Sequence, residues 1–188
     1  MSKALVIIKS MGIGDLCILI SSIHAISIKI GKPVTVLAQK NTKAHAILEN
    51  DPHVVKVIEL EKNEMKKFFQ IVKKIKLENF SESYIYSDSI RFFLISKMSG
   101  IKNCFHYKFF SKKEKNFFKT AKLFTEKTLN IKVDTQSKIY LNKNTKEIIK
   151  KKYNILDDSR NIVCGISASG PTKRWDINNY IKLFEYLN

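Results

Sequence analysis

Residues 4–33 read ALVIIKSMGIGDLCILISSIHAISIKIGKP, and this stretch decides the fold class. The short apolar run over residues 4–9 predicts a buried strand, and the longer apolar segment over residues 15–30 predicts a helix. Gly31 and Pro33 then form a helix stop signal. A buried strand that leads through a glycine-containing turn into a long apolar helix is typical of an α/β protein.

The same alternation continues along the chain. Apolar runs at residues 34–38, 54–58 and 83–86 each precede a segment of helical character. We therefore predict an α/β fold with a Rossmann-like parallel sheet and helices on both faces. A further strand over residues 161–166, followed by a helix over residues 178–187, predicts the start of a second domain.

The bulk composition is that of a soluble globular protein, with 188 residues of which 44% are hydrophobic and 27% charged. Cys17, Cys104 and Cys164 are odd in number and far apart, which argues against a disulfide framework or a zinc site. The four histidines show no metal-ligand spacing. The amino-terminal apolar run is too short for a secretion signal, so we expect a cytoplasmic protein.

The charge is strongly basic, at +17, and it is unevenly distributed. Residues 101–153 contain fifteen lysines, four acids and no arginine. One interpretation is a basic surface that attracts an anionic partner. The other is a lysine-rich composition that reflects an AT-rich genome. Because arginine is the preferred residue for base and phosphate contacts, its absence argues against nucleic acid as the partner.

The first motif, KSMGIGD at residues 9–15, joins the first strand to its helix. Gly12 and Gly14 predict a tight turn whose bare backbone amides can approach an anionic ligand. The motif is not a dinucleotide fingerprint, because Cys17 occupies the third glycine position. Asp15 has two interpretations. It is either an acid that complements the helix start, or a carboxylate at the ligand-binding edge of the sheet that accepts a proton.

The second motif, GISASGPTKRW at residues 165–175, also lies between an apolar run and a helix. It is not a Walker loop, because two residues separate Gly170 from Lys173. Its composition nevertheless suits a diphosphate, with Lys173 as a point charge and Ser169 and Thr172 as donors. The alternative is a polar surface loop with an ordinary lysine.

Together the two motifs carry a family resemblance. GDL at residues 14–16 after a hydrophobic strand, combined with SASGPTKRW at residues 167–175, resembles the lipopolysaccharide heptosyltransferases of glycosyltransferase family 9. The resemblance covers the whole chain, including NDPHV at residues 50–54 and SGI at residues 99–101. Its most specific part is the Lys-Arg-Trp step of the second motif.

The resemblance implies an inverting, metal-independent transfer of a sugar from an ADP-heptose-type donor to a lipopolysaccharide core or related glycan. The nucleotide sugar is a substrate in such a reaction, so no cofactor is expected. Carried onto this sequence, Asp15 matches the general base and Lys173 matches the cation on the donor diphosphate. Ser169 and Thr172 match the small polar residues of the donor loop, and Gly12 and Gly14 belong to the turn beside the base.

The resemblance also implies the GT-B arrangement of two Rossmann-like domains. Residues 1–153 would form the acceptor-side domain, and residues 154–188 a linker with the first strand-helix unit of an incomplete donor-binding domain. We therefore expect this chain alone to be inactive. The expected partners are a nucleotide sugar, a lipid-linked or phosphorylated glycan, and the anionic inner face of the cytoplasmic membrane. The alternative is a non-catalytic basic α/β module that binds anionic lipid or polymer.

Overall fold

The computed structural model describes residues 3–9, 12–107, 116–134, 136–158, 161–166 and 171–187. The chain forms two compact units, Met1–Asn142 and Lys143–Asn188. The first unit contains the parallel sheet, and the described residues of the second contain two α-helices. Because a compact unit need not coincide with a domain, the boundary after residue 153 stays a prediction.

The sheet of the first unit has five strands, all parallel to their neighbours. They are β1 (Ala4–Ile8), β2 (Val34–Gln39), β3 (Val54–Leu60), β4 (Glu82–Tyr86) and β5 (Asn103–His106). Their order is β3-β2-β1-β4-β5, so β1 is central and the winding of the chain reverses between β1 and β4. In open α/β sheets such a reversal is the topological switch point, where ligands bind beyond the carboxyl ends of the strands.

Helices cover both faces of this sheet. They are α1 (Ile13–Ile30), α2 (Ala44–Leu48), α3 (Phe68–Lys76), α4 (Ile90–Met98) and α5 (Phe117–Leu129). The α/β class with a Rossmann-like sheet is therefore confirmed.

The two-residue period of β1 explains how the core divides. Ala4, Val6 and Ile8 pack on one face with α1, α2 and α5. Leu5 and Ile7 pack on the other face with α3 and α4. Because β1 is buried on both faces, its sequence is continuously apolar rather than alternating.

Helix α1 starts two residues before the predicted position, so Gly14 lies inside its first turn. At the other end Gly31 has φ +71° and its N–H donates to the Ile28 carbonyl, which ends the helix as the stop signal predicts. By length and hydropathy α1 could also cross a bilayer, and half of it is buried in the protein core.

The second unit contains α6 (Lys143–Lys152), a 3₁₀ turn (Pro171–Lys173) and α7 (Ile177–Leu187). The predicted strand over residues 161–166 is wrong, since these residues form no strand. A strand needs a hydrogen-bonded neighbour, and the described part of this unit contains no other strand. Val163 is accordingly 94% exposed. An apolar run is not sufficient for a strand where no sheet is present.

Candidate functional site

A cavity of about 200 Å³ lies at the carboxyl edge of the sheet, beside the switch point between β1 and β4. Its walls come from the ends of β1, β4 and β5 and from the starts of α1 and α5. The residues that line it are Lys9, Asp15, Tyr86, Ser87, Asp88, Tyr107 and Phe117. Two carboxylates and one ammonium group therefore surround a small space where this class of sheet binds ligands.

Asp15 lies in the first turn of α1 and is partly buried against the cavity. This is the edge at which the sequence places it. The position is compatible with both interpretations, because a first-turn acid complements the positive end of a helix and also faces the cavity. Its role as a general base stays a prediction.

The two glycines beside Asp15 differ from the expected tight turn. Gly12 is the N-cap of α1 in an extended conformation, with φ −162°, which any residue can adopt. Gly14 is helical and has no positive φ. A Cβ atom built at either position would meet nothing within 4 Å. The glycines are therefore not required by backbone strain or by protein packing, and the open space beside them is where a ligand could approach the amides at the start of α1.

Asp88 is the second carboxylate of the cavity, and it was missed in the sequence. It accepts a hydrogen bond from the hydroxyl of Tyr107, which is buried. Burial, and then the hydrogen bond and charge of Asp88, raise the pKa of Tyr107, so this phenol stays a neutral donor. The signal in the sequence was the polar triplet Ser87-Asp88-Ser89 directly after β4.

Tyr86 lines the cavity, and a hydroxyl network links it to both neighbouring helices. Its hydroxyl lies 2.7 Å from the Thr125 hydroxyl of α5, which is 3.1 Å from the Ser22 hydroxyl of α1. Burial raises the pKa of Tyr86 to about 12. This buried network holds β4, α5 and α1 together beneath Asp15.

The predicted donor loop lies in the second unit. Thr172 and Lys173 are exposed in the 3₁₀ turn, whereas Ser169 lies outside the described residues. Beyond the turn, the Tyr180 hydroxyl donates to the Gly165 carbonyl at 3.1 Å and its ring contacts Trp175, with 4.9 Å between centroids. These contacts fold α7 back onto the segment that precedes the loop. The diphosphate-binding role of Lys173 stays a prediction.

Metal ligands are not gathered in the part of the chain that the structure describes, where no group of three His, Cys, Asp or Glu side chains could hold an ion. The metal-independent mechanism is still a prediction.

The sheet order and the cavity at its switch point define a Rossmann-like α/β fold, and three solved structures share it. A glycosyl transferase of family 9 from Veillonella parvula DSM 2008 matches with a TM-score of 0.74 and 13% identity over 98% of this chain and 59% of its own. E. coli ADP-heptose lipopolysaccharide heptosyltransferase II matches with a TM-score of 0.68 and 16% identity, over 98% and 61%. E. coli heptosyltransferase WaaC with ADP matches with a TM-score of 0.58 and 10% identity, over 98% of this chain and 64% of its own.

The family 9 resemblance seen in the sequence is therefore confirmed at the level of the fold. The match fits the amino-terminal part of such an enzyme, because the chain spans about three fifths of the length of these solved structures. No family model and no curated protein matches the sequence. At these low identities the likeness establishes a glycosyltransferase fold and leaves the reaction to be proposed.

Proposed function

We propose that this chain is the amino-terminal part of an inverting glycosyltransferase of the GT-B type, with an acceptor-side domain and the start of a donor-binding domain. The donor would be a nucleoside-diphosphate heptose such as ADP-heptose, and the acceptor a lipopolysaccharide core or a related phosphorylated or lipid-linked glycan. The observation that carries the proposal is the cavity at the β1–β4 switch point, where Asp15 and Asp88 face Lys9 on a fold shared with family 9 transferases.

In the proposed reaction Asp15 takes the proton from an acceptor hydroxyl while the oxygen of that hydroxyl attacks the anomeric carbon of the donor sugar. The new carbon–oxygen bond forms while the bond from that carbon to the diphosphate breaks. The nucleoside diphosphate leaves with the electron pair. Single displacement inverts the anomeric centre, and the step needs no metal if protein cations neutralise the leaving group.

Lys173 is the cation proposed for that leaving group, with Ser169 and Thr172 as hydrogen-bond donors to the diphosphate. The exposure of Thr172 and Lys173 supports this role, because their polar groups are available to a ligand. On the acceptor side, the ammonium of Lys9 at the cavity mouth suits a phosphate on the glycan. We further propose that the protein acts in the cytoplasm, in peripheral contact with the inner face of the cytoplasmic membrane.

The test joins this chain to the remaining part of a donor-binding domain, so that residues 165–175 supply the donor loop, and measures kcat and the donor KM with ADP-heptose and a lipid A core acceptor. Asp15→Asn should lower kcat by about 10² to 10⁴-fold and spare donor binding, because it removes only the general base. Lys173→Gln should chiefly raise the donor KM. Asp134→Asn, an exposed acid of the same unit that does not line this cavity, is the matched control and should behave as the parent.

Unchanged turnover in Asp15→Asn would show that this carboxylate only complements the helix start. Absence of transfer with any nucleotide sugar, in a joined protein that folds, would favour the non-catalytic binding module.

A further inference from the structure

Helices α3 and α4 form the outer layer on one face of the sheet, and five large apolar side chains are exposed on or beside them. Phe69 on α3 and Leu77, the C-cap of that helix, are 74% and 76% exposed. They stand eight residues apart, with Lys73 midway, and positions spaced by four share one side of a helix. On α4, Ile90, Leu94 and Met98 follow the same spacing and are each about half exposed.

The two helices are neighbours in the fold. Buried residues of α3 and α4 belong to the same core cluster against β1, so both helices turn their opposite sides outward. The helices also contact each other directly, since the Ser99 hydroxyl just beyond α4 donates to the Val72 carbonyl of α3 at 3.2 Å. The Arg91 guanidinium lies over the Phe68 ring at 5.8 Å. We call this surface the α3–α4 face, formed by Phe69, Lys73, Leu77, Ile90, Leu94 and Met98.

The charge around this face is mainly positive, with only Glu64, Glu78 and Asp88 flanking the two helices as acids. Neither α3 nor α4 contains an acidic residue. Exposed lysines instead surround the apolar rows, namely Lys66, Lys67, Lys74, Lys76 and Lys97. A single exposed apolar side chain is ordinary, but five on two neighbouring helices, bordered by cations, mark an interaction site.

We infer that the α3–α4 face docks on an anionic lipid surface. An interfacial helix places aromatic and aliphatic residues among the acyl chains while its lysines meet anionic headgroups. A second copy of the chain fits this face less well, because two surfaces with an excess of lysine repel each other.

This orientation leaves the candidate site accessible from the lipid surface. When α3 and α4 lie on the membrane, the sheet is roughly parallel to the membrane surface, so its carboxyl edge faces sideways rather than into the bilayer. A headgroup-linked glycan could then reach Asp15 from the side. The inference rests on the proposed function in this respect, because a lipid-linked acceptor is what would bring the protein to a membrane.

The test is binding of this chain to vesicles of mixed phosphatidylcholine and phosphatidylglycerol, measured by co-sedimentation at low salt without nucleotide sugar. Lys73→Gln, Lys74→Gln and Lys76→Gln together should weaken binding by about tenfold or more. Phe69→Ala with Leu77→Ala should weaken it by about tenfold, because less apolar surface is buried. All of these side chains are exposed, so circular dichroism and the thermal midpoint should be unchanged.

The charge-matched control replaces Lys119, Lys127 and Lys132 by glutamine. These exposed lysines lie on or just after α5, in the helical layer on the opposite face of the sheet. They also belong to the lysine-rich segment 101–153 that the sequence suggested as the basic surface. This control should bind as the parent does.

Equal weakening by both triple variants would overturn the inference, since a diffuse positive charge would then suffice. Equal binding to vesicles of phosphatidylcholine alone, or no binding at low salt, would also overturn it. A third contrary outcome is a dimer, observed by sedimentation equilibrium, that Phe69→Ala with Leu77→Ala dissociates. If the chain does not bind vesicles, the proposed transfer reaction is unaffected. If transfer fails while vesicle binding is observed, the inference about the α3–α4 face still holds.

Discussion

Thr125→Val should destabilise the first unit through the buried network beneath the candidate site. The Thr125 hydroxyl contacts the Tyr86 hydroxyl at 2.7 Å and also donates toward the Ala121 carbonyl at 2.7 Å. Valine keeps the shape of threonine but removes the hydroxyl, so Tyr86 keeps only the Ser22 hydroxyl within reach. Weakening the pairing of a buried phenol costs about 1–2 kcal/mol. For a protein of this size that corresponds to a thermal midpoint lower by about 3–6 °C.

The assay is urea unfolding followed by circular dichroism, with Tyr86→Phe and the double variant completing a cycle. Tyr86→Phe should cost less than Thr125→Val, because the Thr125 hydroxyl can still donate to the Ala121 carbonyl within its own helix. In the Tyr86→Phe background, Thr125→Val should then cost little, which gives a coupling of about 1 kcal/mol. Strictly additive losses, or a cost below about 0.5 kcal/mol for Thr125→Val, would refute this account.

Three further predictions concern stability. Burial, and then the charge of His24, lower the pKa of His53 below its ordinary 6.5. Below that pH the unfolded chain binds the proton more readily than the folded chain does. The urea concentration at the unfolding midpoint should therefore decrease as the pH is lowered from about 7.5 to about 5.5, and His53→Gln should make this decrease smaller. Glu78→Gln, which removes the negative charge that pairs with Lys56 and Lys3, should cost on the order of 1 kcal/mol or less and cost less at high salt. Gly31→Ala should cost about 1 kcal/mol by thermal unfolding, because its φ is +71°.

The first unit was predictable because its local signals agree with its packing. β1 is apolar on both sides, as a central parallel strand must be, and Gly31 ends α1 in the conformation that glycine favours. The strand proposed at residues 161–166 had the same apolar composition. What it lacked was a neighbouring strand, and a sequence pattern does not contain that information.

Charge was harder to interpret than hydrophobicity. The lysine-rich segment 101–153 suggests one basic surface because its charges are concentrated in one part of the sequence, yet the structure divides it between two compact units. Five of the six lysines of the α3–α4 face lie in one stretch, residues 66–76, and the sixth is Lys97 of α4. A sequence pattern does not show that these two acid-free helices are neighbours. A surface is defined by which elements are neighbours in space, and here that depends on the pairing of two helices over the same face of the sheet.

The candidate site shows the same limit within a single cavity. Asp15 could be placed at the carboxyl edge from its position after β1 alone, because every strand of a parallel sheet ends at that edge. Asp88 could not be paired with it until the order of the strands was known. Had β4 and β5 exchanged places, Asp88 would follow a strand that is not adjacent to β1, and the two carboxylates would not line one space. It is the reversal of winding at β1 that brings the loop after β4 beside the start of α1. The switch point, rather than either motif, therefore creates the site.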